Sequence, residues 1–474
     1  MTDFWATFGV DLHLDVDPAA GRRSGLEAGL REAIRAGRLA PGARLPSTRT
    51  LATELGLARG TVTAVYDQLT AEGYLVARRG SGTEVANFTR PRTAPPLRTS
   101  HPRQLRHDLH PGQPDVTSFP TALWLRSYRR AVTAAPASVY GYGDPAGRME
   151  LRVALADYLG RTRGVSATPD RIVIAGGFVQ ALALTARVLR DAGVAATAME
   201  DPGIPFHRDV VAHAGMPVVP LPVDDHGVRA DLLATSEHAA TGAVIATPAH
   251  QYPIGATLHP ARRHALVEWA RATGGVIVED DYDGEFRYDR QPVGALQGMA
   301  PDHVIYLGTA SKTLGPGLRL AWMVVPPLLV GPVVEAKRHT ELQTETLGQL
   351  AFADLLSSHA YDRHVRASRL RYRRRRDLLL ARLGALQPQA DFTVHGIAAG
   401  LHVLLGLPAP LQERTVLEFA AREELDLLGL AGHWHRPGPR HPPGLIVGYG
   451  SPSEGAYPAA LDALIRVLRC VAGA

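Results

Sequence analysis

The chain has 474 residues, of which 45% are hydrophobic and 20% charged, values that exclude a disordered or collagen-like protein and allow two or three globular domains. The net charge of +5 neither requires nor excludes a nucleic-acid partner. Cys470 is the only cysteine, which excludes an intrachain disulfide and a cysteine-based metal site. No apolar run is long enough to span a bilayer, so we expect a cytoplasmic protein with no membrane partner.

The first predicted elements are two helices and a hairpin. Ser47 is a good N-cap for a helix in "PSTRTLATEL", and a second helix follows in "RGTVTAVYDQLTAEG". The apolar face of this second helix consists of Val62, Val65, Tyr66 and Leu69. "YLVARRGSGTEV" then predicts strand, glycine turn, strand. This order is that of a winged helix-turn-helix, in which the second helix enters the major groove of DNA. We assign residues 1–87 to this DNA-binding domain.

Polar residues stand where that geometry brings them to DNA. The residues predicted to contact DNA are Arg49 in the first helix, Arg59, Thr61 and Thr63 at the start of the second, and Gly82 in the wing. A solvated surface explains any one of these arginines equally well. The order of the elements is what favours DNA as the partner.

Beyond the head, the sequence predicts a linker and an α/β domain. Residues 88–107, "FTRPRTAPPLRTSHPRQLRH", are rich in proline and arginine and contain no acidic residue, which predicts an extended linker. In residues 108–474 short apolar runs such as "RIVIAG", "GAVIATP", "GGVIVEDD" and "HVIYLG" alternate with helical stretches. Such alternation predicts a mostly parallel sheet covered on both faces by helices.

A single lysine draws attention within this second domain. The chain contains two lysines, Lys312 and Lys337, although arginine is abundant. Lys312 lies in "GTASKTLGPGLRL", between an apolar run and a glycine-rich turn. A guanidinium does not deprotonate in proteins, whereas a desolvated lysine does, so this position favours chemistry that needs a neutral amine.

Three further segments complement that amine. "VIVEDDYDGEFRY" places carboxylates and a tyrosine at a strand end, and "RIVIAGGFVQALALTARVL" leaves free N–H groups at the start of a helix. "YGYGDPAGRMELRVALADYL" is a loop with two tyrosines before a helix. An amine, an acid for a ring nitrogen and a nest for a phosphate together are what pyridoxal 5′-phosphate requires. Each segment alone has a plainer explanation, such as a solvated acidic turn. In the histidine-rich "HWHRPGPRHPPG" we predict no metal site.

The chain resembles two known families. "LPSTRTLATELGLARGTVTAVYDQLTAEGYLVARRGSGTEV" is similar to the DNA-binding head of GntR-family bacterial regulators. "TPAHQYPIG", "EDDYDGEFRYDRQPVGALQ" and "IYLGTASKTLGPGLRL" resemble fold-type I aminotransferases, in particular the MocR or GabR type of regulator, which joins the two parts. This resemblance spans roughly residues 109–469.

The resemblance implies roles for individual residues. Lys312 would form the Schiff base with pyridoxal phosphate, Asp280 would pair with the ring nitrogen, and Tyr282 would bond the ring hydroxyl. The residues implied to hold the phosphate are Gly176, Gly177, Phe178, Thr309, Ser311 and Arg319, with Tyr142 reaching the phosphate of a neighbouring subunit. A homodimer is implied, with each head placed near the partner's body.

Several positions depart from the family pattern. Ile204 stands where an aromatic ring commonly stacks on the cofactor, and Phe206 where the relative that senses GABA has an arginine. Tyr252 replaces an asparagine of true aminotransferases, and "PGLIVGYGSPSE" lacks the arginine that binds a substrate carboxylate. In the head, Gly60 replaces a larger residue. Because turnover of an amino acid requires an anchored carboxylate, these departures argue against efficient transamination.

We therefore expect a dimeric transcription regulator that binds an operator with two half-sites and senses a small-molecule effector. The effector is either pyridoxal phosphate itself or an amine or amino acid, and residual half-transamination is compatible with this hypothesis. One alternative is a pyridoxal-phosphate-dependent aminotransferase with an accessory DNA-binding head. Another is a regulator that has lost the cofactor and only dimerises. The basic run Arg369–Arg376 is interpreted as a solvated helix face.

Overall fold

The computed structural model describes residues 21–78, 82–87, 105–289, 293–386, 391–438 and 441–472. The described residues from Gly21 to Asn87 and those from Leu105 onward form two compact units, here called the head and the body. The predicted linker lies for the most part outside the described residues, so the domain boundaries stay predictions. In the ranges described, no helix has the length and apolar character needed to cross a membrane.

The head is a small helical unit with a two-stranded wing. Its elements are α1 (Arg22–Arg35), α2 (Thr48–Glu54), α3 (Arg59–Ala71), β1 (Leu75–Arg78) and β2 (Gly82–Val85). The predicted cap forms, because the Ser47 hydroxyl accepts from the Thr50 amide at 3.1 Å. The predicted apolar face of α3 is buried against α1 and the strands. The strands pair antiparallel, with Leu75 opposite Val85; the predicted turn at 79–81 lies outside the described residues.

The body contains the remaining strands and helices. Its strands are β3 (His107–Asp108), β4 (Ile172–Ala175), β5 (Ala196–Asp201), β6 (Val218–Asp224), β7 (Gly227–Val228), β8 (Thr241–Ala246), β9 (Val276–Asp281), β10 (Val304–Thr309), β11 (Ala321–Val324), β12 (Thr393–His395), β13 (His402–Gly406), β14 (Leu425–Asp426), β15 (Leu428–Gly429) and β16 (Gly444–Gly448). Its helices are α4 (Thr121–Ala134), α5 (Met149–Arg163), α6 (Phe178–Asp191), α7 (Pro205–His213), α8 (Pro260–Thr273), α9 (Pro327–Glu341), α10 (Thr346–Ser357), α11 (Ala360–Gly384), α12 (Glu413–Arg422) and α13 (Tyr457–Ala472).

The main sheet has the order β4-β11-β10-β9-β8-β5-β6-β7. The four pairs from β10 to β6 are parallel, and β11 is antiparallel to both of its neighbours. Alternate residues of β4 enter different cores: Ile172 and Ile174 pack into one, Val173 and Ala175 into another. Side chains alternate between the faces of a strand, so both faces of this sheet are covered. The predicted mostly parallel sheet is confirmed.

A second sheet, β12-β13-β16-β15, is antiparallel and packs with α11, α12 and α13 into a separate core. The interpretation of Arg369–Arg376 as a solvated face is wrong for Arg375, whereas Arg373 and Arg374 are exposed. The Arg375 side chain is buried on α11 and donates to the Asp115 carboxylate at 2.8 Å, because the chain before α4 packs against this helix. Lys337 on α9 is also fully buried, 2.7 Å from the Glu341 carboxylate.

Candidate functional site

A cavity of about 570 Å³ opens at the carboxyl ends of β9 and β10. Among its walls are seven of the residues predicted to hold the cofactor: Phe178, Asp280, Tyr282, Thr309, Ser311, Lys312 and Arg319. Gly176 and Gly177 adjoin it at the start of α6. Tyr142 lies outside the cavity walls, with 89% of its surface exposed. The carboxyl ends of parallel strands are where open α/β sheets bind ligands.

One end of the cavity is suited to an anion. Gly177 caps α6 with φ +115°, and a Cβ there would lie 2.2 Å from Nη2 of Arg319. The guanidinium therefore lies next to the free N–H groups of a helix N-terminus, and both attract negative charge. The hydroxyls of Thr309 and Ser311 lie 2.9 Å apart in the loop that leads to Lys312. This cradle fits a phosphate and requires glycine at 177.

A buried carboxylate lies at another wall. Asp280 is 4% exposed, and its Oδ1 has no hydrogen-bond partner in the described part of the chain. Burial, followed by the charges of Asp281 and Asp283, raises the pKa of Asp280 well above its ordinary value. An unpartnered buried acceptor is costly, and the N–H of a pyridinium ring would satisfy it. The acid in this position therefore fits the ring nitrogen of pyridoxal phosphate.

The Lys312 amine donates to the backbone carbonyl of Gly112, which also lines the cavity. Burial lowers the pKa of this amine, while the nearby Asp283 and Asp280 oppose that shift. A lowered pKa increases the neutral fraction of the amine, which is the form that attacks a carbonyl. The structure thus places an amine of lowered pKa (Lys312), a buried carboxyl group (Asp280) and an anion-binding cradle around one cavity.

Tyr282 lies in a group that the sequence did not indicate. Its hydroxyl is 3.2 Å from Nδ1 of His250, and the same nitrogen is 2.8 Å from the Asp283 carboxylate. A single Nδ1 proton is held most strongly by the carboxylate, since charge-assisted bonds are stronger. The Tyr282 side chain also lines the cavity. Burial and the charge of Asp283 raise the pKa of Tyr282 well above 10, so the hydroxyl remains a donor.

Four histidines line the cavity: His110, His207, His402 and His433. The His207 ring lies 4.9 Å from the Phe178 ring, one turn beyond Ile204, where the sequence lacks an aromatic residue. Burial, with a smaller contribution from the charge of Lys312, lowers the pKa of His207 to about 4. His402 and His433 were missed because they lie far along the chain from the cofactor motifs, and only the "HWH" segment signalled one of them. Within the described ranges no group of histidines and carboxylates could hold a metal ion.

The residues predicted to meet DNA lie on the surface of the head. Arg49, Arg59, Thr63 and Gly82 are exposed and Thr61 is half-buried. Arg59 is the first residue of α3, and Thr63 lies one turn later on the same face. A side chain at Gly60 would meet open space, so the smaller residue there is not required by packing. Their contacts with DNA stay predictions.

Two family models match the chain, one in each unit. Residues 113–427 match the family "Aminotransferase class I and II". Residues 23–85 match "Bacterial regulatory proteins, gntR family". Together these matches confirm the predicted pairing of a helix-turn-helix head with an aminotransferase-like body.

Named relatives share this arrangement. The chain is 33% identical to the HTH-type pyridoxine biosynthesis transcriptional regulator PdxR of Corynebacterium glutamicum, over 90% of this chain and 91% of the relative. It is also 33% identical to the probable rhizopine catabolism regulatory protein MocR of Rhizobium meliloti, over 92% of each protein. Among solved structures, kynurenine aminotransferase of Pyrococcus horikoshii aligns with a TM-score of 0.68 at 24% identity, covering 77% of this chain and 91% of that one.

Proposed function

Because the chain belongs to the aminotransferase class I and II family and carries a GntR-family head, we propose a cytoplasmic homodimer whose body senses an effector and controls how the heads bind DNA. The protein is a DNA-binding transcriptional regulator of the MocR and PdxR type with pyridoxal phosphate as its cofactor. The observation that carries the proposal is the pair of sites on one chain: a helix with an exposed N-terminal Arg59, and a cavity around Lys312. A plain aminotransferase has no use for the first.

Different residues of the cavity would bind different parts of the cofactor. Arg319 and the N–H groups at the start of α6 would bind the phosphate, and Asp280 would accept a hydrogen bond from the protonated ring nitrogen. Lys312 would supply the amine that holds the cofactor, and the Tyr282 hydroxyl would donate a hydrogen bond to the oxygen of the ring hydroxyl. When bound, pyridoxal phosphate supplies a carbonyl carbon that reacts with amines and a ring that withdraws electrons. Supporting this assignment are the unpartnered Oδ1 of Asp280 and the cradle at Gly177.

A dimer is supported by the exposure of Tyr142. Tyr142 is almost fully exposed in the single chain, as expected of a residue that reaches the phosphate site of a second subunit. We infer that each head lies near the partner's body through the long linker. Two heads imply two half-sites in the operator, and contacts with phosphates imply binding that weakens steeply with salt.

Sensing, rather than steady turnover, is the role we assign to the body. β16 carries no arginine that could anchor a substrate carboxylate, so the Cα–H bond of an amino acid would not be held over the ring. Half-transamination without turnover remains compatible with the site. The second candidate, an aminotransferase with an accessory head, is favoured only by the complete set of Lys312, Asp280 and Arg319. The effector is either the cofactor itself or an amino compound.

The test is a gel shift with DNA from the protein's own upstream region at one fixed salt concentration. Cofactor-free protein is compared with protein given pyridoxal phosphate and then amino compounds. A band that changes with the cofactor alone identifies vitamin B6 supply as the signal, and a band that changes only with an added amine identifies a displacing effector. Steady transamination of common amino acids without sequence-specific DNA binding would show that the protein is an enzyme.

A further inference from the structure

Part of the cavity wall lies away from the residues that hold the cofactor, and the assignments above give it no role. This wall comes from the second sheet and its loops, and we call it the distal wall: Leu401, His402, Leu428 and His433. Phe206 lies at the rim of the same cavity with 58% of its surface exposed. The distal wall is therefore apolar except for two imidazoles.

Both imidazoles are buried and incompletely bonded. His402 and His433 are each 5% exposed, and no described atom hydrogen-bonds to Nε2 of His402 or to Nδ1 of His433. The Tyr252 hydroxyl is 3.4 Å from the other nitrogen of His433, and its ring lies 4.8 Å from the ring of His402. A buried polar atom without a partner costs free energy until a ligand or water supplies one.

These rings bind as neutral groups. Burial lowers the pKa of His433 to about 4, and burial together with the charge of His250 lowers the pKa of His402 well below its ordinary value. A neutral imidazole presents one N–H and one lone pair and carries no charge with which to attract an acid. A hydroxyl or amine group, which can both donate and accept, satisfies either nitrogen.

The cations of the cavity are already committed. Of the described residues that line it, Lys312 and Arg319 carry side-chain positive charge, and both serve the cofactor. The guanidinium of Arg208 on α7 is engaged by backbone, because it donates to the carbonyls of Gly203 at 3.1 Å and His433 at 2.8 Å. An acid group entering beside the distal wall would lose its hydration without gaining a cationic partner.

We propose that the distal wall binds a small amine or amino alcohol that has an apolar tail and no acid group, with its polar groups paired to His402 and His433. This inference rests on the proposed function, since it names the chemical class of the molecule sensed in that cavity. It excludes α-amino acids as the preferred ligands. The selectivity follows from the lack of a free cation in the wall and from the presence of two incompletely bonded neutral imidazoles among leucines.

The test compares L-phenylalaninol with L-phenylalanine, which differ only in the replacement of the carboxylate by a hydroxymethyl group. The full-length protein loaded with pyridoxal phosphate is titrated with each, and binding is followed by the absorbance of the bound cofactor and by tryptophan fluorescence. We expect half-saturation by the alcohol at a concentration at least about tenfold lower than by the acid. Equal affinities, tighter binding of the acid, or no binding of either at millimolar concentration would overturn the inference.

Two variants at the rim sharpen the test. Phe206→Arg supplies a cation where the side chain is exposed, and we expect it to bind phenylalanine about tenfold more tightly than the matched Phe206→Leu, with little change for phenylalaninol. If the two variants bind phenylalanine equally, the missing cation does not set the selectivity and the inference is wrong. A gel shift on the same samples separates the two proposals: loss of all DNA binding would refute the regulator, whereas the affinity ratio alone decides the ligand class.

Discussion

The guanidinium of Arg319 lies against the α-carbon of Gly177, so closely that a Cβ at residue 177 would fall 2.2 Å from Nη2. The two residues belong to distant segments, the loop after β10 and the start of α6. Their contact brings a cation to the N-terminus of a helix, an arrangement that only an anion stabilises fully. The guanidinium of Arg319 can occupy this position only because residue 177 is a glycine and has no Cβ.

Gly177→Ala is expected to weaken the binding of pyridoxal phosphate by at least about tenfold, because the new Cβ displaces the guanidinium from the phosphate cradle. The measurement is the cofactor dissociation constant by absorbance. Gly193→Ala is the matched control, since Gly193 also has a positive φ of +90° but no described atom lies within 4 Å of the point that its Cβ would occupy. Equal affinity in the two variants would contradict the role of the cradle.

Asp280→Asn is expected to lower cofactor affinity about tenfold or more without lowering the melting temperature of the cofactor-free protein. The amide cannot stabilise a protonated ring nitrogen as a carboxylate does, yet it fills the same buried space without the free-energy cost of a buried carboxylate. The neighbouring Asp281→Asn should instead lower the stability of the cofactor-free protein. Asp281 accepts from Nε of Arg163 at 2.6 Å, and breaking that buried pair costs about 3–5 kcal/mol of unfolding free energy. Calorimetry and cofactor titration of both variants check the contrast, and a D280N protein as unstable as D281N would contradict it.

Arg59→Ala is expected to reduce operator affinity and to make the slope of log K against log salt shallower by about one unit, if this exposed arginine neutralises a phosphate. If the substitution instead relaxes the preference for one base of the operator and leaves the salt slope unchanged, Arg59 contacts that base. Arg414→Ala, at an exposed arginine of the body, removes the same charge far along the chain and serves as the control. Binding isotherms at several salt concentrations provide the measurement, and an unchanged slope together with unchanged affinity would remove Arg59 from the interface.

His433→Gln is expected to make the protein less sensitive to acid. The pKa of His433 is lowered to about 4 in the folded chain, against about 6.5 when unfolded, so its neutral form stabilises the fold above pH 6.5 and that stability is lost as the pH falls toward 4. Between pH 7 and 4.5 the wild type should lose about 2–3 kcal/mol more unfolding free energy than the variant. Glu200, whose pKa is raised to about 7 by burial, acts in the opposite direction but equally in both proteins.

Urea unfolding of the body at several pH values measures this difference. The exposed His264→Gln is the control and should follow the wild type. A His433→Gln protein that loses as much stability in acid as the wild type would show that this imidazole is not what titrates.

Local patterns predicted the elements well, because they depend on neighbours in sequence. The Ser47 cap, the buried face of α3 and the strands that end at Asp281 and Thr309 are set by periodicity and capping. The residues predicted to hold the cofactor could be proposed for the same reason, since each lies in a short motif at a strand or helix end. Contacts between distant segments could not be predicted in this way: Arg375 meets Asp115 from 260 residues away. His402 lies on β13 and His433 in the turn before β16, and apart from the "HWH" segment nothing local to them indicates a cavity.

The two lysines, one fully buried with Glu341 and the other inside the cavity, leave the outer surface of the protein without a lysine amine. Reagents that acylate amines therefore have one accessible lysine side chain as their target, and that side chain is the one proposed to hold the cofactor. The rate at which Lys312 is acylated becomes a direct report of how open its cavity is. Bound cofactor, a bound effector or a change in the dimer would each change the extent to which Lys312 is acylated. Mass spectrometry of the single peptide that contains Lys312 would measure this change without an engineered label.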